Sequence, residues 1–534
     1  MLDMRARELW LKPSDFALLL YLFGNATHLT SGTNLFFEHG AGLGMTFRKL
    51  LFLVAFAHTA VWTLIAWALV RPDGRDCREH AIRRSKCPLA LAASVSLLIA
   101  LSTNGYRYRI NENIVVGSLI NTFHAMRTAD GLTVGMLAAE FEQKAQHLSA
   151  QPDRSILRDA KPFKNVVVIV YESVRWRDLG LVDNTETSSP TLARMASEGI
   201  LSKSYVSVPH SSKAYFAILS GRHPSPGVEM REVMRNRHDT IWHEFSRDRQ
   251  GATFAFSSLY LAFENMGGLL KTLGIDQRFQ TGDLAKALNT EVATSTSFGT
   301  SDELLYALGA QRLSKSATPF AAVFFPVAAH YPYNCSGANS GRQSFADYTA
   351  CLRYSDLLLA KMIDEFRRLN LLEDTLVVVV GDHGESFGEH GLYVHNSSMH
   401  EEEVTVPLIF WSDDGRLAHY TIPTSQQIDI APTIADLMGM LHSEVQVQGV
   451  SLLRRNGRTP PMFMSTFFEG VGQALVEDSI KYIWEPSADR LLAFDLNLDR
   501  NELSPKIITG EQKNAVVQRL RAFQAYQELA FPRQ

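Results

Sequence analysis

Two segments of the chain place acid and imidazole side chains directly after apolar, β-branched runs. Val166 to Tyr171 ends at Glu172, and Leu376 to Gly381 ends at Asp382-His383-Gly384-Glu385. Continuous apolar runs of this length read as central strands covered on both faces. In an open parallel sheet, chemistry collects in the loops at the carboxyl ends of the strands. Carboxylates and an imidazole at two such ends suit a hard or borderline divalent cation. The imidazole favours zinc or manganese, with magnesium or calcium as the harder alternatives. The plainer reading of an acid at a strand end is a helix N-cap, whose carboxylate accepts backbone N–H bonds.

The surrounding pattern supplies elements able to hold such residues. Further strands are expected at Phe254 to Ser257, Phe320 to Pro326 and Pro407 to Trp411. Helices are expected at Pro190 to Ser197, Ser212 to Ser220, Ser301 to Leu313 and Asp347 to Leu369. Alternating strand and helix predicts an α/β domain, a mostly parallel sheet with helices on both faces. Residues 107–162 read as a mixed, polar connector containing an amphipathic helix near Val134 to Leu148, and 163–534 as the catalytic domain. The chain has no internal repeat and no low-complexity segment.

The N-terminal 106 residues differ in kind. The chain of 534 residues is 20% charged, against roughly 25% in typical soluble proteins, although 46% apolar is ordinary. Its net charge of -4 gives no support to a nucleic-acid partner. Leu50 to Val70 contains no formal charge and is long enough to cross a bilayer core of roughly 30 Å. Pro88 to Tyr106 is likewise uncharged. Residues 16–37 are uncharged too but carry several polar side chains, so they read either as a weak span or as a re-entrant segment. Between the two clear spans, Arg71 to Lys86 holds six Lys/Arg against three acids, which marks it as cytoplasmic. Everything after Tyr106 is then expected on the periplasmic or extracellular side of an inner or plasma membrane. No cleavable signal peptide is read at the N-terminus. Cys335 and Cys351 fall on the oxidising side, where a disulfide between them is expected, while Cys77 and Cys87 fall on the reducing side.

Several further blocks carry a resemblance. Asn165-Val-Val-Val-Ile-Val-Tyr-Glu172, Ser189-Pro-Thr-Leu-Ala-Arg-Met-Ala-Ser-Glu-Gly199, Leu219-Ser-Gly-Arg222, Val380-Gly-Asp-His-Gly-Glu385 with Gly388-Glu-His-Gly391, Val406-Pro-Leu-Ile409 and Asp429-Ile-Ala-Pro-Thr433 follow one another in order. Together with Lys481-Tyr482 and Phe494-Asp495-Leu496, they resemble the sulfatase-type domain of the alkaline phosphatase superfamily over roughly residues 163 to 510. The resemblance implies an alkaline-phosphatase-like sheet flanked by helices, closed by a small C-terminal antiparallel sheet. It also implies metal ligands at Glu172, Asp382 and His383.

At the nucleophile the resemblance divides. Sulfatases mature a Cys or Ser to formylglycine within C/S-x-P-x-R, ten residues before the glycine of a Thr-Gly-Arg. Ten residues before Gly221 stands Ser211, but Lys213 occupies the proline position and Tyr215 the arginine position. The segment is more similar to the membrane-anchored branch, the lipoteichoic acid synthases and phosphoethanolamine transferases, where an unmodified hydroxyl attacks a phospholipid headgroup. Ser211 is then the nucleophile and fourth metal ligand, with Ser212 as its competitor. His330, in His330-Tyr331-Pro332-Tyr333, and His395, thirteen residues after Asp382, correspond to substrate-binding histidines; the alternative for each is a packing or surface role. A helix starting near Ser212 would point free N–H groups at a phosphate, and Lys213 would either add charge there or lie solvated. Arg222 reads as a structural ion-pair residue rather than a substrate clamp. Glu385, Glu389, His390 and His400 read mainly as solvated loop residues, with support of the ligands as the alternative.

Three functions follow from this resemblance. The first is a phospho-headgroup transferase moving phosphoethanolamine or phosphoglycerol from a membrane lipid donor to a lipid or glycan acceptor through a phospho-serine intermediate. The second is a sulfate- or phosphate-ester hydrolase, and the third a non-catalytic membrane scaffold. The retained acidic and His positions count against the third.

Overall fold

A computed structural model describes residues 151–534, apart from the last four and a number of short internal segments, of which 287–300 is the longest. The spans expected at 16–37, 50–70 and 88–106, and the amphipathic helix near Val134 to Leu148, lie outside the described residues. Among the described residues no helix is long and apolar enough to cross a membrane.

The apolar run after Lys164 forms strand β1, Asn165–Tyr171, and the run before Asp382 forms β6, Thr375–Gly381. They are adjacent and parallel, with Tyr171 opposite Gly381. Both are covered on two faces because their side chains alternate. Val166, Val168 and Val170 enter one apolar layer, and Val167 and Ile169 enter the other. Around this pair an eight-stranded sheet runs in the order β10-β2-β9-β6-β1-β5-β3-β4. Its other members are β2 (Ile200–Tyr205), β3 (Ala252–Ser257), β4 (Gln277–Phe279), β5 (Phe320–Phe325), β9 (Thr405–Trp411) and β10 (Tyr420–Gln426), while β7 (Ser386–Phe387) and β8 (Tyr393–Val394) pair with each other apart from it. Only β9 opposes the rest, pairing antiparallel with both β2 and β6.

Helices cover both faces, as the alternation predicts. On one side lie α1 (Pro190–Glu198), α5 (Asp302–Leu313) and α6 (Phe345–Arg368), which bury Met195, Leu308 and Phe366 among others. On the other lie α2 (Ser211–Ser220), α3 (Ile241–Asp248) and α8 (Ile430–Met438); between these groups in sequence fall the short helices α4 (Met266–Thr272) and α7 (Glu401–Val404). Local chemistry sets the ends. Ser301 caps α5 by accepting from Glu303 N–H, and Ser344 and Asp347 form a reciprocal capping box on α6. The α2 helix stops at Gly221, whose φ of 67° is left-handed and favours glycine.

Three strands escape the sequence pattern. In β2, Ser202, Lys203 and Ser204 interrupt the apolar run, yet Ser202 and Ser204 are buried because the neighbouring strands enclose them. In β10, Pro423 falls at a register shift on the sheet edge, the position that tolerates proline. The three-residue β4 is too short to show a period.

A second, antiparallel sheet follows in the order β11-β12-β13-β14-β15, comprising Met462–Ser465, Gln473–Glu477, Ile480–Glu485, Arg490–Asp495 and Lys506–Ile508. It packs Phe463, Leu475 and Trp484 against Val516, Leu520 and Phe523 of the last helix, α9 (Gly510–Ala530).

Cys335 and Cys351 form a disulfide with Cα atoms 5.5 Å apart, closing a separation of 16 residues. It ties the segment that follows His330 to α6. Closing a loop of this length restricts the unfolded chain by about 3 kcal/mol. The double substitution Cys335→Ala/Cys351→Ala should therefore lower unfolding free energy by roughly that amount in a urea titration. An unchanged midpoint and slope would contradict the role assigned to the bridge.

Candidate active site

The register of β1 on β6 sets two acids side by side. Glu172 follows Tyr171, Asp382 follows Gly381, and both carboxylates are buried. The turn between them is fixed by backbone bonds. Asp382 N–H donates to Tyr171 O at 2.9 Å, and Asp382 Oδ1 accepts from Ser173 N–H at 2.8 Å and His383 N–H at 2.7 Å. Gln427 Nε2 donates to the carbonyls of Gly381 and Asp382. Asp382 Oδ2 is buried with no hydrogen-bond partner. The His383 ring contacts the Gly384 carbonyl through Nδ1 at 2.9 Å, which places the proton there and turns the Nε2 lone pair inward.

Helix α2 brings the fourth donor. Ser211 is its first residue, and its Oγ lies 3.3 Å from Glu172 Oε2 and 3.2 Å from His383 Nε2. Ser212 is directed elsewhere, with Oγ 3.2 Å from His210 Nδ1. Of the two candidate serines, then, only Ser211 contacts this cluster in the described bonds. His383 Nε2 is also 3.6 Å from Glu172 Oε1 and 3.5 Å from Asp382 Oδ2. Donors about 2.0–2.2 Å from a tetrahedral cation stand about 3.3–3.6 Å from one another. The spacing of Glu172, Asp382, His383 and Ser211, together with the orphaned Asp382 Oδ2, fits a divalent cation.

Electrostatics point the same way. Burial, then the neighbouring Asp382, raises the Glu172 carboxyl above its ordinary range. Burial pushes Asp382 up to about 7, and it pushes His383 down to about 4 with help from His395. Two buried acids that ionise only reluctantly are what a cation in place of a shared proton would relieve.

The remaining expected residues fall around this centre. The His395 ring packs against His383 with centroids 4.0 Å apart, and its Nδ1 is 3.3 Å from Glu385 Oε2. Burial holds His395 down at about 4, favouring the neutral ring. His330 is within electrostatic reach of Glu172, Glu385 and His395. Its loop is pinned by buried Asp302, which accepts from the N–H groups of Val327 and Ala328. Lys213 is buried, donating from Nζ to the Ser225 carbonyl at 2.7 Å and lying 5.5 Å over the Phe467 ring. Its ammonium is therefore held inside the fold rather than solvated at the first turn. Arg222 meets an imidazole, with Nη1 3.2 Å from His238 Nδ1.

Some contributors are not evident from the sequence. Glu385 is fully buried rather than solvated, with burial pushing it up to about 7, and it orients His395. Tyr215 reaches toward Glu172 Oε2 at 3.5 Å, from the position where the formylglycine motif would carry arginine. His210 precedes α2 and stacks on Phe467 at 4.2 Å. Its only signal in the sequence is adjacency to Ser211.

With this geometry in hand, the comparisons with known proteins are specific. The sequence model of the family described as Sulfatase matches residues 164–440. The chain is 34% identical over 171 residues to the choline-sulfatase of Rhizobium meliloti, covering 30% of this chain and 33% of that one. It is 23% identical over 346 residues to a lipoteichoic acid synthase-like protein of Bacillus subtilis, covering 58% of this chain and 53% of that one. The chain thus spans between a third and just over half of the length of these relatives. In structure it is similar to a protein of the alkaline phosphatase superfamily from Vibrio parahaemolyticus, with a TM-score of 0.58, 18% identity, and coverage of 76% of this chain and 96% of that one.

Two substitutions test the site. Ser211→Ala should reduce turnover by roughly a thousandfold or more while metal analysis finds the cation retained by Glu172, Asp382 and His383; full activity would remove Ser211 from the nucleophile role. In Gly384→Ala, a Cβ would stand 2.0 Å from the Glu402 carbonyl oxygen, so the loop must shift. The expected cost is about 1–3 kcal/mol, seen as a lowered melting temperature together with weaker metal binding.

Proposed function

We propose that this chain, which belongs to the sulfatase family, is a metal-dependent enzyme acting on phosphate esters, transferring a phospho-headgroup from a phospholipid to an envelope lipid or glycan. The observation that carries this reading is the hydroxyl of Ser211 at the start of α2, within hydrogen-bond distance of both Glu172 and His383. Lys213 and Tyr215 break the maturation motif that formylglycine requires. The similarity to a lipoteichoic acid synthase-like protein extends over 346 residues, twice the length of the choline-sulfatase match.

Glu172, Asp382, His383 and Ser211 would hold the cation, zinc or manganese by the chemistry of the set. When bound, it supplies Lewis-acid stabilisation of the phosphoryl oxygens and an acidified serine hydroxyl. The chain's own groups do the rest. Ser211 Oγ attacks phosphorus, the bond from phosphorus to the glycerol oxygen breaks, and diacylglycerol leaves. The serine proton leaves to solvent and the departing oxygen takes one up, with Nε2 of His395, whose Nδ1 meets Glu385, as the carrier on the leaving-group side. The free N–H groups of the first turn of α2 favour the anionic phosphodiester. His330 binds the phosphoryl group. An acceptor hydroxyl then attacks the phospho-serine and returns Ser211 Oγ to its starting state. The Cys335–Cys351 disulfide supports a catalytic domain on the oxidising side of the membrane, with residues 1–106 as a multi-pass anchor.

A second reading, hydrolysis of a sulfate ester, draws on the 34% identity to a choline-sulfatase. Incubation with labelled phosphatidylglycerol, phosphatidylethanolamine and a chromogenic sulfate ester separates the two. Diacylglycerol release with a phosphoglycerol or phosphoethanolamine adduct on the Ser211 peptide is expected. Formylglycine at position 211 with sulfate release alone would replace the first reading by the second.

A further inference from the structure

His390 and His400 form a second imidazole–carboxylate cluster, outside the donor set of Glu172, Ser211, Asp382 and His383. Their rings stack face to face, with centroids 3.6 Å apart and planes 3° from parallel. Both rings turn a nitrogen toward one residue. His390 Nε2 is 3.2 Å from the Glu502 main-chain oxygen, and His400 Nδ1 is 3.0 Å from Glu502 Oε2. At its other edge, His390 Nδ1 meets Glu402 Oε1 at 2.6 Å. The Glu502 side chain is fully buried, whereas each imidazole keeps 14% of its side chain exposed, which leaves a path from solvent.

Counting protons exposes a mismatch. A neutral imidazole has one N–H. The Glu402 carboxylate claims that of His390 at Nδ1, so the lone pair of Nε2 faces the lone pairs of the Glu502 carbonyl. Either an extra proton or a cation must lie between them. The extra proton would make His390 an imidazolium whose ring stacks 3.6 Å from that of His400, which needs only its single N–H at Nδ1 to meet Glu502. The local charge favours a divalent ion over a single proton. Among the described ion pairs, Lys203 lies 3.0 Å from Glu401 and Lys481 2.9 Å from both Glu401 and Glu502, while Glu402 meets His390 and Glu403 the hydroxyls of Ser386 and Ser398. Four carboxylates against two ammonium groups leave two negative charges.

We propose that His390, His400 and Glu502 form a second divalent-cation site of zinc type, with Glu402 as the outer carboxylate that fixes the His390 tautomer. Their ligand atoms all lie within 4.8 Å of one another. Two imidazoles and a carboxylate are a zinc donor set, and a carboxylate behind a ligating histidine is its usual support. The Glu502 carbonyl is placed to serve as a fourth oxygen. The site joins three parts of the chain: the loop that carries His390 and His395, the turn Glu401–Val404, and the connection between β14 and β15. Its role is structural, clamping the small antiparallel sheet onto the loop that bears the catalytic His395.

The test uses the full-length chain in detergent, stripped with a chelator and titrated with zinc alone. Wild type should take up two equivalents. The double substitution Asp382→Asn/His383→Gln, which dismantles the first donor set, should keep one. Adding His400→Gln to that background should weaken the remaining binding at least about tenfold. A wild type that binds a single equivalent, lost in the double variant, overturns the proposal. So does a remaining equivalent that is indifferent to His400→Gln. Should the triple variant fail to fold, the count in wild type against the double variant still decides.

Discussion

Glu172 and Asp382 end neighbouring parallel strands, and the register that pairs Tyr171 with Gly381 leaves their carboxylates no choice but to meet in the interior. Removing two such charges from water costs several kcal/mol for each ion unless something of opposite sign shares the space. The first donor set answers that constraint. His383 turns its Nε2 inward, Ser211 supplies a hydroxyl, and Asp382 Oδ2 is left for a cation to satisfy. The chemistry proposed for the site uses the same arrangement, since a centre built to hold positive charge beside a hydroxyl is also built to receive a phosphoryl or sulfuryl oxygen.

The loop from Gly384 to Glu403 repeats the constraint on a larger scale. Glu385, Glu402 and Glu403 are all buried, and each is met by a specific partner: His395, His390, and the hydroxyls of Ser386 and Ser398. Gly384 permits the close approach, since its N–H donates to the Glu403 carbonyl and Glu385 N–H to that of Glu402. Lys481, from β13 of the small sheet, reaches into the same region to pair with Glu401 and Glu502. The C-terminal sheet is thus bound to the catalytic loop through charge and to the main core through one apolar face, Met464, Val476, Ile483 and Phe494 among others, while its opposite face packs on α9.

Helix α2 shows how far one element serves both core and site. From Ser212 to Ser220 every residue is buried, so the helix is held by packing on all sides. Only Ser211 emerges, at the end where free N–H groups and the helix dipole favour an anion. The Trp242 indole donates to the Leu219 carbonyl, and Gln448 and Gly449 donate to that of Gly221, so the opposite end is satisfied by distant parts of the chain.

The sequence by itself determined the α/β class, the positions of β1, β5 and β6, most of α1, α2, α5 and α6, and the identities of Glu172, Asp382 and His383 as candidate ligands. Each is announced by a local signal: an unbroken apolar run, a helical period with caps, or an acid at a strand end. It also offered Ser211 and Ser212 without a geometric ground for choosing between them. Tertiary structure separates their surroundings, because folding brings Ser211 within 3.3 Å of a residue 39 positions away and turns Ser212 to His210. It likewise decided the direction of β9, the strands β2 and β10 whose polar residues are enclosed by neighbours, and the partners of the loop acids. Glu385, Glu402 and Glu502 look like solvated carboxylates in sequence, since nothing local distinguishes a charge facing water from one facing a histidine or lysine in a remote segment. Burial and pairing are properties of the assembled sheet, and the sequence carries them only through residues that are far apart until the chain has folded.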